Sequence, residues 1–174
     1  QPVTNFLTKS EGSTALKAAL GADEQGYSQS QLKIIQKRLN RDYDIPPLSR
    51  IQGNLNKLGY FRGETKTFSV KRFANLEEQK REQIRIGDNK YGDETEAAIK
   101  ELQTALIARG FLKPVKDDGK HTNIDGLYGP NTHKAYKSAI KHSMFLTSGR
   151  IQGLKQERKN KLIQDLKILN KNPE

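Results

Sequence analysis

Asp125-Gly126-Leu127-Tyr128-Gly129-Pro130-Asn131-Thr132-His133-Lys134-Ala135-Tyr136 decides the reading of this chain, because it lines up with Asp88-Asn89-Lys90-Tyr91-Gly92-Asp93-Glu94-Thr95-Glu96-Ala97-Ala98-Ile99. Asp, a turn former, Tyr, Gly, Thr and Ala recur at the same spacing, which marks an internal duplication. Gly or Asn after the Asp supplies a positive φ. The Tyr ring can pin the loop to the core, and the second Gly permits a close turn. Thr caps the following helix or sits in its first turn, meeting a free backbone N–H. Ala lets that helix approach a neighbour. These uses are architectural before they are functional.

A second repeated unit precedes each loop. Ile51-Gln52, Leu55 and Leu58-Gly59-Tyr60 form one copy, and Leu102-Gln103, Leu106 and Gly110-Phe111 form the other. Each reads as a helix ending in Gly-aromatic, with Gly as the C-terminal stop. The strong helix predicted from Asp93 or Thr95 to Arg109 ends the first copy and begins the second, so the copies should fold as one unit. Upstream, Ser28 caps an amphipathic helix to Arg41, with Leu32, Ile35 and Leu39 on one stripe and Lys33, Lys37, Arg38 and Arg41 on the other side. Pro46-Pro47 ends it, and Ser49 is the candidate cap of the next helix.

This pattern resembles the three-helix peptidoglycan-binding domain of cell-wall hydrolases and exported bacterial or phage proteins. The likeness covers Ser49–His142. The second loop follows the family pattern at Asp125, Gly126, Tyr128, Gly129, Thr132 and Ala135, while the first departs at Asn89 and carries an insertion, residues 64–86. Ser28–Leu39, with Leu32, Ile35 and Gln36, looks like a degenerate third helix of the same kind. The resemblance implies an all-α, compact helical bundle at 28–146. A flexible N-terminal arm (1–27) and a basic C-terminal helix (147–174) flank it. Ser13–Leu20 is expected to be a short helix in the arm, Thr65–Val70 a short strand or extended loop, and Asn75–Gln83 a solvated helix.

The resemblance further implies non-catalytic binding of peptidoglycan, usually its peptide stems, near the Asp-Gly loop. Stem carboxylates suit Arg and Lys, an ammonium suits Asp, and an aromatic ring covers the alkyl parts. The candidate ligand-binding residues are Tyr60, Phe61, Arg62, Tyr91, Asp125, Tyr128 and Asn131, with core packing as the competing role for the four aromatic ones. A second reading is a scaffold for a protein partner in the envelope, a phage particle or a secretion system. The insertion motivates it, and an open groove beside Tyr91 and Tyr128 counts against it. A third makes the chain the targeting part of a wall hydrolase.

The formal net charge of +11 favours anionic partners without choosing among nucleic acid, anionic lipid, teichoic or lipopolysaccharide groups and wall carboxylates. Ser148–Asn170 has a Leu stripe and a Lys-rich face, but no nucleic-acid motif and no stacking aromatics, so nucleic acid is not the expected partner. No apolar run approaches the ~20 residues of a membrane span. With no Cys there is no disulfide and no Cys-ligated metal. His121, His133 and His142 lack zinc-site spacing, and no Ser or Cys nucleophile motif occurs. No enzyme, metal or cofactor is therefore expected. A start at Gln1-Pro2 is consistent with processing, and the expected location is periplasm, cell wall or extracellular space.

Overall fold

A computed structural model describes residues 7–73 and 79–142. Five helices occur among them: α1 (Lys9–Gly21), α2 (Gln29–Asp42), α3 (Leu48–Lys57), α4 (Asp93–Ala108) and α5 (Pro130–Lys141). Between α3 and α4 lies an antiparallel hairpin, β1 (Thr65–Phe73) and β2 (Gln79–Gly87), paired from Thr65↔Gly87 to Phe73↔Gln79.

The hairpin corrects the all-α expectation: the chain is mixed α/β. It also replaces the solvated helix expected at Asn75–Gln83, of which residues 79–83 are strand. Charge-dense sequence favours helix only where nothing else competes. Here Ile84 is buried, and Gly53 of α3 brings the helix backbone against β2, where a Cβ would fall 1.6 Å from the Arg85 carbonyl oxygen. Cross-strand pairing and packing on α3 override local propensity. The basic helix expected at 147–174 lies outside the described residues.

The helices begin as their sequences dictate. Thr8 and Glu11 form a reciprocal capping box on α1, and Ser28 and Gln31 form one on α2. α1 starts earlier than expected and packs on α4 rather than trailing free. Gly12 faces the Ala108 carbonyl oxygen, which a Cβ would approach to 2.4 Å, and Ala19 is in the core. Ser49, the expected cap of α3, lies inside its first turn, and Pro47 takes the cap position. The two Gly-aromatic exits match. Gly59 and Gly110 have φ of 89° and 87°, and the N–H groups of Tyr60 and Phe111 close back on the Leu55 and Leu106 carbonyls at 2.8 and 2.9 Å. One core runs through both copies, with Leu55, Leu58, Ile99, Leu102, Leu106, Ile107 and Ile140 fully enclosed.

Candidate functional site

Each repeated loop closes over a buried glutamine. Gln103 of α4 is 1% exposed. Its Oε1 accepts from the N–H groups of Asp125 and Gly126 at 3.0 and 3.1 Å. Its Nε2 donates to Asp125 Oδ1, the Leu127 carbonyl and Thr132 Oγ1 at 2.8, 3.0 and 3.2 Å. Gln52 of α3 does the same for the first loop. It accepts from the Asn89 N–H at 2.9 Å and donates to Asp88 Oδ1, the Lys90 carbonyl and Thr95 Oγ1 at 3.3, 2.9 and 3.0 Å. Gln36 of α2 adds a third clamp, accepting from the Tyr128 N–H at 2.7 Å and donating to the Tyr128 carbonyl at 2.9 Å. A primary amide is the side chain that can both accept from and donate to a turn of backbone. The Asp and Thr of the motif are thus partners of the glutamine.

The tyrosines tie the loops together. Tyr91 donates its hydroxyl to the Gly126 carbonyl at 2.5 Å, so the first loop holds the second. Tyr128 pairs its hydroxyl with His133 Nδ1 at 2.7 Å, and both are buried. Burial pushes His133 down from 6.5 to about 4, with Lys137 acting in the same direction.

The expected ligand residues divide accordingly. Tyr60, Phe61, Tyr91 and Tyr128 are buried members of the core, and burial pushes the Tyr60 phenol up to about 12. Asp125 is engaged by Gln103, by the Leu127 N–H at 2.9 Å and by Lys116 Nζ at 2.5 Å. Only Arg62 and Asn131 are exposed. Asn131 lines a polar groove of about 350 Å³ with Lys113, Lys116 and Lys134. The structure does not bring these seven residues together into one site.

It does form a larger groove, about 480 Å³, between α2, the Pro46-Pro47 bend and the first loop. Lys33, Lys37 and Arg41 line one wall. Four-residue spacing sets such residues on one stripe of a helix. Ile45, Pro47, Leu48 and Tyr91 supply apolar lining, and Gln36, Asn40 and Asn89 supply amides. Arg41 is paired with its neighbour Asp42 at 2.8 Å, whereas neither Lys33 nor Lys37 has an ion-pair partner among the described residues. Among the described residues, none of the inserted hairpin lines this groove. Tyr91 is the one expected ligand residue that reaches it. The signal for the rest was the i, i+4, i+8 cation row on α2, visible in sequence but read only as the polar side of an amphipathic helix.

Among the described residues, no cluster of three or more His, Asp or Glu is placed to hold a metal, and no helix is long and apolar enough to cross a membrane. Compared with protein-family models, with curated proteins and with solved structures, the chain matches none.

Proposed function

We propose that this chain binds peptidoglycan without cleaving it, seating a peptide stem in the groove between α2 and the first loop, and that it does so outside the cytoplasm. The observation that carries the reading is the groove itself. It has a row of cations one helical turn apart, a facing apolar patch that includes the ring of Tyr91, and amides between them. Stem peptides present carboxylates separated by short alkyl stretches, so cations would hold the charges while Ile45, Pro47 and Tyr91 cover the carbon chain. The duplicated loop, with its resemblance to peptidoglycan-binding domains, supports the same reading. The scaffold alternative draws on the hairpin, but none of the hairpin's described residues lines the groove. A role as the targeting part of a wall hydrolase is compatible with stem binding.

Sedimentation with purified sacculi tests the proposal. The intact chain should be enriched in the pellet at moderate salt. Lys33→Glu with Lys37→Glu should lower the bound fraction about tenfold or more while leaving thermal unfolding nearly unchanged, because both side chains are exposed. Absence of enrichment, or a variant that pellets as well as the parent, would sink the idea. A cleared band on a cell-wall zymogram would overturn the non-catalytic part.

A further inference from the structure

The groove between α2 and the first loop is one-sided in its hydrogen-bonding chemistry. Three amides line it, and the oxygen of each is already engaged by the protein. Gln36 Oε1 accepts from the Tyr128 N–H at 2.7 Å, Asn40 Oδ1 from Gln36 Nε2 at 3.0 Å, and Asn89 Oδ1 from the Ser49 N–H at 3.1 Å. Carbonyls of the bend are engaged as well. The Pro46 carbonyl accepts from Asn40 Nδ2 at 2.8 Å, and the Pro47 carbonyl accepts from the N–H groups of Arg50 and Ile51 at 3.0 and 3.1 Å.

The groups left over are donors. Lys33 Nζ, Lys37 Nζ and Asn89 Nδ2 have no partner among the described residues, and a lysine ammonium donates without accepting. Among the described lining residues there is no Asp or Glu. Asp42, next in the chain to Arg41, is held by it at 2.8 Å and does not line the groove. Lys33 and Lys37 stand one turn apart, about 6 Å along the helix axis, so two flexible ammonium groups can converge on one ligand group. A carboxylate only accepts, carries the opposite charge, and answers such a wall completely. The carboxamide of the same shape has lost the charge and turns two N–H groups toward other donors. A site with the wrong partner in place is left with unpaired groups, and that penalty is what discriminates.

We propose that the groove selects stem peptides whose acid groups are free over stems in which they are carboxamides, with Lys33 and Lys37 as the specificity-determining residues. That the peptide is a wall stem rests on the reading under Proposed function, whereas the preference for acid over amide rests on the donors and acceptors of the groove. Amidation of the stems would then lower binding across a wall without altering its sugars or the length of its peptides.

The test uses the full chain and two synthetic tetrapeptides with a γ-linked glutamate in second place, one with its acid groups free and one with each as a carboxamide. In titration calorimetry the parent should bind the acid form about tenfold or more tightly than the carboxamide. Lys33→Gln with Lys37→Gln should bind both forms within about twofold, near the parent's affinity for the carboxamide. Both side chains are exposed, so the melting temperature should stay the same. Lys113→Gln with Lys134→Gln removes equal charge from the groove beside Asn131 and should keep the preference. A parent that binds the two peptides alike, or the carboxamide better, overturns the proposal. So does a Lys33 and Lys37 variant that keeps the preference, or a loss of it in the Lys113 and Lys134 variant, which would assign it to net charge. A parent that binds neither peptide overturns it too, and sacculi separate the two failures: pelleting with them leaves wall binding standing, and no pelleting removes both.

Discussion

The two copies of the loop use one clamp in different surroundings, and the difference separates what the motif is for from what the chain has built around it. In the second copy, Gln103 accepts two N–H groups and donates to three oxygens, and Asp125 is further held by Lys116. In the first, Gln52 accepts only from Asn89, and its contact with Asp88 is longer, at 3.3 Å. The second loop is further held by Gln36 and Tyr91 reaching in from other elements. The first borders the open groove and follows the hairpin. The fastening is repeated, and the first loop is left bordering an open groove.

Removing the clamps should break that comparison most visibly. Gln103→Leu strands two loop N–H groups and the Leu127 carbonyl, because a side chain of similar size fills the amide's place without its hydrogen bonds, and each buried unsatisfied group costs about 1–3 kcal/mol. Urea unfolding should show a loss of about 3–5 kcal/mol. Gln52→Leu should cost less, by about 1 kcal/mol or more, because its loop is more exposed and has fewer bonds to lose. Equal losses would mean that the surroundings of the two loops do not matter.

The second copy alone carries a histidine in its fastening. A neutral His133 can accept the Tyr128 phenol proton at Nδ1, and an imidazolium cannot. The folded-state value near 4 lies below the ordinary 6.5, so as pH falls the unfolded chain takes up the proton first. Stability from this group is present above about pH 6.5 and is lost progressively as pH falls through about 4, below which both states are protonated. The loss should reach about 2–3 kcal/mol at pH 4. Acid titration of the unfolding midpoint, run beside His133→Gln, checks it. The variant should lack this component, and a parallel fall in both proteins would assign the pH effect to carboxylates elsewhere.

Periodic, local signals were legible in the sequence. Ser28, Gly59 and Gly110 mark helix ends where they stand, the Leu and Ile stripes became the core, and the shared helix joins both copies. Signals that depend on tertiary contact were not. Gln36, Gln52 and Gln103 stood in the repeated pattern, yet nothing local says that a glutamine is buried, because its value lies in the loop folded over it. The same holds for residues 79–83. Their charge reads as helix until Gly53 offers a backbone-width gap for a strand. Tyr60, Phe61, Tyr91 and Tyr128 suit a ligand or a core equally by composition, and packing decided for the core. The groove went unread because its cations come from α2 and its apolar side from the bend and the first loop.

The finest difference between the copies is the turn residue itself. Asn89 and Gly126 hold the same conformation, with φ of 66° and 76°. Asn tolerates that region, and its side chain adds an acceptor for the Ser49 N–H at 3.1 Å. Gly126 has no such freedom of replacement, because a Cβ there would lie 3.1 Å from both the Tyr91 hydroxyl and Glu96 Cγ. Gly126→Asn should therefore cost about 1–2 kcal/mol, the conformational penalty being small but the crowding against the Tyr91 bond real. The reverse exchange, Asn89→Gly, should cost about 1 kcal/mol or less, since it relieves backbone strain while losing one exposed hydrogen bond. If thermal melts rank the two the other way, the turn conformation rather than the contact between the loops limits the second copy. Tyr91→Phe should remove part of the difference between Gly126→Asn and Asn89→Gly, and the crowding against Glu96 should keep the rest.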